Sequence, residues 1–172
     1  MAKFVDLYSK IMDMLFKAIR AVLAVALVIM VVVTSIEVVR RYIFGLSFVW
    51  AEELVKFLLV SVTFLGGAAA YKAGGMAYLD LLTSHLSESI NKIIGIVNNV
   101  IIILVCAYLS MQGFAYTFSP MVSRMKSTGL KLNMSFVYIS IPIGFSFIIL
   151  FAIEQILKAV SEKKQQKEEV GA

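Results

Sequence analysis

Cysteine and histidine each occur once in 172 residues. A lone thiol closes no intramolecular disulfide, and Cys106 falls inside an apolar run, so cysteine usage does not report the compartment. With His85 as the one histidine, bis-histidine haem ligation cannot be built from a single chain, and a cysteine and a histidine far apart make no metal cluster. No glycine-rich phosphate loop opens a helix, and no Ser, His and Asp set offers nucleophilic catalysis. The sequence therefore reads as a non-enzyme with no cofactor of its own. Charge is missing in a patterned way as well: residues 21–36, 57–71, 93–123 and 132–153 contain no Asp, Glu, Lys or Arg.

What is present is apolar. Hydrophobic residues make up 60% of the chain, against roughly 45–50% in a soluble domain. A helix rises ~1.5 Å per residue and must cross ~30 Å of hydrocarbon, so ~20 residues are needed. The last two runs suffice alone. The first two suffice if Arg20 snorkels outward and Glu37 and Lys56 lie near head groups. This predicts an all-α integral membrane protein with four spans at about 18–39, 52–72, 93–117 and 134–157, forming one membrane domain. A cleavable signal peptide is the rival for the first span. Its run ends in TSIEVVRRY rather than at a small-residue cleavage site, so a retained span is expected. Placing the N-terminus in the cytoplasm puts ten Lys and Arg on that side and six on the other, which favours both termini inside.

Two amphipathic segments flank the spans. Lys3, Asp6, Lys10, Asp13, Lys17 and Arg20 alternate with Phe4, Tyr8, Ile11, Leu15 and Ile19, a helix expected to rest on the bilayer surface. Asp6 to Lys10 and Asp13 to Lys17 have the i,i+4 spacing of helix surface pairs. After Gly74 and Gly75, Leu79, Leu82, Leu86 and Ile90 recur at helical spacing opposite Asp80, Ser84, Ser87 and Glu88. This predicts an in-plane helix at about 76–91, with His85 on its polar face. The end, about 162–172, has no apolar periodicity and is expected to be a disordered tail.

Carriers place ionisable groups at mid-membrane, and the span centres here hold only neutral polar residues such as Thr34, Ser61, Thr63, Gln112 and Ser146. Asn98 and Asn99 suit hydrogen bonds to a neighbouring helix. Gly66, Gly67, Ala68, Ala69 and Ala70 permit close helix packing, with Gly66, Gly67 and Ala70 the candidate contacts. Pro142 with Gly144 is a possible kink. The ionisable residues gather instead in the join RRYIFGLSFVWAEELVKF, at 40–57. Glu37 can reach Arg40 or Arg41 along the helix. Gly45 marks a turn, Ser47 is a possible cap, and Glu52 and Glu53 complement the start of the second helix. Trp50 suits an interfacial anchor. Dipole complementarity accounts for the acids better than for two adjacent arginines, so Arg40, Arg41, Glu52, Glu53 and Lys56 are candidate contacts for a protein partner.

These residues resemble a known family. RRYIFGLSFVWAEELVKF is similar to the "RY-x-F … W-x-EE-L" segment of the small membrane subunit of tripartite ATP-independent periplasmic (TRAP) transporters, the DctQ-like permeases. AYKAGGMAYLDLL, at 70–82, resembles that family's glycine-rich "VDLL" stretch, with Met76 where histidine is frequent. TGLKLNMSFVYISIPIGF, at 128–145, resembles its "LGIP … Y … P-x-G" region, with Asn133 in place of proline and Met134 in place of tryptophan. The three stretches occur in family order over roughly 36–146. The resemblance implies an accessory subunit in sodium-coupled uptake of an organic acid, sialic acid or a four-carbon dicarboxylate. It would scaffold a large membrane subunit that carries substrate and sodium, and help dock a periplasmic substrate-binding protein at the inner membrane of a bacterium. The alternative is a stand-alone, self-associating channel or holin-like protein. That reading asks for a polar stripe along a span, and none of the four offers more than scattered Ser, Thr and Asn.

Overall fold

A computed structural model describes the backbone of residues 2–74 and 88–170. Its elements are α1 (Ala2–Phe44), α2 (Val49–Lys72), α3 (Glu88–Thr117), α4 (Pro120–Arg124), α5 (Ser135–Tyr138) and α6 (Ser140–Val170). Four helical stretches are long and apolar enough to cross a membrane: Val5–Phe44, Val49–Lys72, Ile93–Thr117 and Ser135–Ser161. They contain the four expected spans, and the protein is an all-α integral membrane protein.

α1 is one helix of 43 residues. It contains neither glycine nor proline, and in hydrocarbon its β-branched stretch has no way to satisfy backbone groups other than helix. It stops at Gly45, whose φ of +65° lets its N–H turn back to the Arg41 carbonyl at 3.2 Å. At ~1.5 Å per residue the helix is about 65 Å long, roughly twice the hydrocarbon thickness. Its first half therefore extends beyond the length needed to cross the membrane core. It packs on the bundle. Met12 and Ile19 are buried with Ala68, Ala69 and Phe151, and the Tyr8 hydroxyl donates to the Leu150 carbonyl at 3.1 Å. The face toward the bundle runs through Met12, 5% exposed, while Ile11, on the apolar face read from the sequence, is 53% exposed. The seam Tyr8, Met12, Leu15, Ile19 follows the other helices rather than the widest apolar arc.

α6 touches α1, α2 and α3 and is the centre of the bundle. A Cβ on Gly144 would stand 2.8 Å from both Cβ and the carbonyl oxygen of Phe64, so α2 and α6 meet backbone to backbone there. Against α3, Ser110 Oγ donates to the Pro142 carbonyl at 3.2 Å and lies 3.0 Å from Ser146 Oγ. Pro142 has no N–H for the Tyr138 carbonyl, and the helix is interrupted at Ile139, between α5 and α6. Cys106 is buried in α3.

Gly66 and Gly67 have nothing within 4 Å of where a Cβ would stand, and Ala70 is exposed while Ala68 and Ala69 are buried. Among the described residues, Ala68, Ala69, Gly113 and Gly144 are small residues at helix contacts. Asn99 is buried, accepts from the Tyr71 hydroxyl on α2 and donates to the Gly95 carbonyl at 2.8 Å; Asn98 is half-buried beside it. The backbone over 162–170, read from sequence as a tail, continues α6 to Val170. The expected in-plane helix and His85 fall on 75–87, outside the described residues, apart from 88–91, which open α3.

Candidate functional site

The chain runs up and down, so the α1–α2 turn and the 125–134 loop share one end of the bundle, called here the Trp50 end. Phe48 is the N-cap of α2 and has no side-chain cap; Ser47 does not serve as one. Its N–H is instead held by Glu37 Oε1 at 3.0 Å. The Arg40 guanidinium carbon lies 3.4 Å from the centroid of the Phe48 ring, a cation–π contact, and Phe48 in turn packs on Trp50 with ring centroids 5.4 Å apart. Trp50 is 40% exposed.

The adjacent acids Glu52 and Glu53 do different things. Glu52 pairs with Lys56 at 2.6 Å, one helical turn on, with both side chains about two-thirds exposed. Glu53 reaches across to the loop. Its Oε1 accepts from the Thr128 N–H at 2.9 Å, and its Oε2 from Gly129 and Leu130 at 2.9 and 3.0 Å. Gly129 permits this approach, since a Cβ there would come within 2.7 Å of the Trp50 backbone nitrogen. The loop is otherwise a small hairpin. Ser127 N–H donates to Leu132 and Met134 N–H to Met125, at 2.9 and 3.0 Å. Lys131 takes the left-handed φ of +53° at its turn. Asn133 donates to the Ser123 carbonyl at 2.8 Å and accepts from the Ser135 N–H at 2.9 Å. Ser135 Oγ ties the loop to the end of α3 through the Thr117 carbonyl at 2.9 Å.

The five candidate contact residues thus divide. Glu53 is consumed by the loop, Glu52 and Lys56 by each other, and Arg40 by Phe48. Arg41 is exposed and makes no ion pair among the described residues. Sequence reasoning did not single out Arg124, Lys126 and Lys131, which are also exposed and without an ion pair among the described residues. Their signal was present as three bases within eight positions after a long uncharged run.

A second charged cluster lies at the opposite, Lys72 end. Lys72 is held by Glu154 on α6 and by Asp13 on α1, the latter at 2.9 Å. Lys158 reaches Glu154 Oε1 at 2.7 Å, and Ser9 Oγ donates to the same oxygen at 2.9 Å. The Glu154 side chain is 2% exposed and that of Lys72 10%. Three helices are joined by these charges; sequence reading assigned Lys72 and Lys158 to topology and did not single out Glu154, and Asp13 pairs with Lys72 rather than with Lys17 along its own helix. The available signal was a lone acid, Glu154, at the end of an uncharged run whose antiparallel neighbour ends in a lone base. Among the described residues no group of three or more His, Cys, Asp or Glu could hold a metal ion.

Comparison with known proteins places this architecture. The family described as "Tripartite ATP-independent periplasmic transporters, DctQ component" matches residues 30–162. A protein of Haemophilus influenzae named as a TRAP transporter small permease is 25% identical over 159 residues, covering 91% of this chain and 95% of the relative. A sialic acid TRAP transporter permease from another strain of that species is 24% identical over 107 residues. That match covers 62% of this chain and 17% of the larger relative. A multi-pass inner-membrane location follows from the family and the four apolar helices. With the family match extending over most of its length, the chain belongs to the DctQ component family of tripartite ATP-independent periplasmic transporters.

Proposed function

We propose that this chain is the small permease subunit of a sodium-coupled transporter for organic acids, of the sialic acid or four-carbon dicarboxylate class. In this role it scaffolds the large membrane subunit and helps seat a periplasmic binding protein. Sodium and substrate belong to the large subunit. Both termini are cytoplasmic, in keeping with the ten-to-six distribution of bases, so the Trp50 end faces the periplasm. The broad apolar flanks of α1 and α3 and the open positions at Gly66 and Gly67 are the surfaces for the large subunit. The substrate class draws on the relative named for sialic acid and on the motif resemblance.

The observation that carries the docking role is the division of charge at the Trp50 end. Its acids are already engaged, Glu37 and Glu53 by backbone N–H groups and Glu52 by Lys56, while Arg41, Arg124, Lys126 and Lys131 are exposed without ion pairs among the described residues. Cations on a translocated rim run against the usual topological bias. A rim that displays them from α1, α4 and the hydrogen-bonded 125–134 loop suits an acidic protein surface and gives steering that fades with salt. The test is the double charge reversal Arg41→Glu with Lys126→Glu in the co-expressed complex, reconstituted with the binding protein and a sodium gradient. Uptake is expected to fall several-fold and to lose its salt dependence, while the large subunit still co-purifies. Unchanged uptake would remove the docking role, and uptake without a sodium gradient would remove the coupling.

A further inference from the structure

A cavity of about 620 Å³ opens beside the α1–α2 turn, lined by Ile36, Val39, Arg40, Phe44, Leu46 and Phe48 among others. It lies where the uncharged run of α1 gives way to charge, so its lower part is at hydrocarbon depth and its upper part at the head groups. Ile36, Val39, Phe44 and Leu46 are themselves 56%, 54%, 68% and 57% exposed. The cavity therefore opens sideways out of the bundle, toward the bilayer.

Arg40 is the base in the lining. Phe48 holds the guanidinium flat against its ring at 3.4 Å, and Phe48 is fixed by the bond from its N–H to Glu37. The guanidinium makes no hydrogen bond or ion pair with any described residue, and its Nε is buried without a partner. Stacking occupies the face of the group and leaves its in-plane N–H donors for an acceptor, the geometry in which arginine binds phosphate through two parallel bonds. Glu37 sits one turn below, with one oxygen committed to Phe48 and the other buried without a partner, and Arg41 adds a second cation at the same helix end. An apolar groove beneath a pre-oriented arginine matches an amphiphile with an anionic head.

We propose that this cavity is a phospholipid site. A bilayer glycerophospholipid places its phosphate on Arg40 and lays an acyl chain along Ile36, Val39 and Leu46. The proposal needs membrane insertion but not the docking role, so either can fail without the other.

The test uses the complex co-expressed with its large subunit, with a photo-crosslinking amino acid at Val39 and native mass spectrometry as the readouts. The expected crosslink carries the mass of one phospholipid. A crosslink to the large subunit, or to a free fatty acid, overturns the proposal. In delipidated complex, added phosphatidylethanolamine or phosphatidylglycerol is expected to be retained, and diacylglycerol of the same chains is not. Retention is expected to fall by about tenfold in Arg40→Gln, the effect of losing a charge-assisted hydrogen bond. Arg41→Gln is expected to change it little. Equal retention of diacylglycerol and phospholipid, or full retention in Arg40→Gln with its thermal stability unaltered, would overturn the assignment.

Discussion

At the Lys72 end of the bundle, charged side chains from three helices converge and neutralise one another, and the central pair is almost wholly removed from solvent. At the Trp50 end the acids bind backbone N–H groups or a neighbouring lysine, and most of the bases point outward. The same residue types thus serve opposite purposes. One end spends its charges on internal cohesion, where Lys72 of α2 is held by acids on α1 and α6. The other uses its acids to shape a surface and leaves that surface positive. Burial, rather than the number of charges, separates a structural cluster from a docking face.

Breaking the Lys72 end should have the largest effect. In Glu154→Leu, Lys72 remains buried with only the half-exposed Asp13 to balance it. Removing one partner of a buried pair typically costs ~3–5 kcal/mol. A drop of that order is expected in the thermal stability of the detergent-solubilised protein. Replacing both charges, as Lys72→Met with Glu154→Leu, should recover most of the loss, because two apolar side chains of similar volume avoid the desolvation cost. If the double variant is no better than the single, the cluster stabilises by attraction rather than by mutual neutralisation.

The middle of the bundle supplies a second contrast, between glycines that touch and glycines that do not. Gly144→Ala would drive a methyl group into the Phe64 backbone, an overpacking expected to cost about 1–3 kcal/mol. Gly66→Ala and Gly67→Ala meet open space and should leave the isolated chain unchanged or raise its stability by up to ~1 kcal/mol through helix propensity. Their expected effect is on the complex: if these positions face the large subunit, larger residues such as Leu should reduce its co-purification. A normal yield of complex from Gly66→Leu would place that interface elsewhere.

The span layout was legible because it depends on a one-dimensional quantity, the length of uncharged apolar sequence measured against the bilayer. The turn at Gly45 was legible for a similar local reason, as no other residue type takes φ of +65° as readily. What escaped was every feature set by which helix faces which. The apolar face read for a bilayer surface ran through Ile11, whereas the face toward the bundle runs through Met12, because α2 and α6 decide the rotation of α1. Gly66 and Gly67 were read as packing positions and Gly144 only as part of a kink, and the crossing of α2 with α6 puts the close contact at Gly144. Glu154 and Lys72 lie 82 positions apart, too far for any spacing rule to pair them. At the Trp50 end the roles of Glu52 and Glu53 were merged, since adjacent acids at a helix start carry one and the same local signal.

Those adjacent acids give the smallest and sharpest test of the Trp50 end. In Glu53→Gln the side chain keeps its shape but loses the charge and one of the two acceptor oxygens that hold three N–H groups. The amides of Thr128, Gly129 and Leu130 should then exchange hydrogen several-fold faster, with the bundle otherwise intact. In Glu52→Gln an exposed pair with Lys56 is lost, and such pairs contribute little because solvent screens them and holding two long side chains together costs entropy. No change is expected in those three amides or in the unfolding temperature. Uptake should follow the same order, impaired in Glu53→Gln because the cationic loop loses its rigid platform and unaffected in Glu52→Gln. Equal uptake defects in the two variants would mean that the acids act through charge at the rim. The partner would then read the acids of this end together with its bases, and a loop held rigid by Glu53 would have no part in recognition.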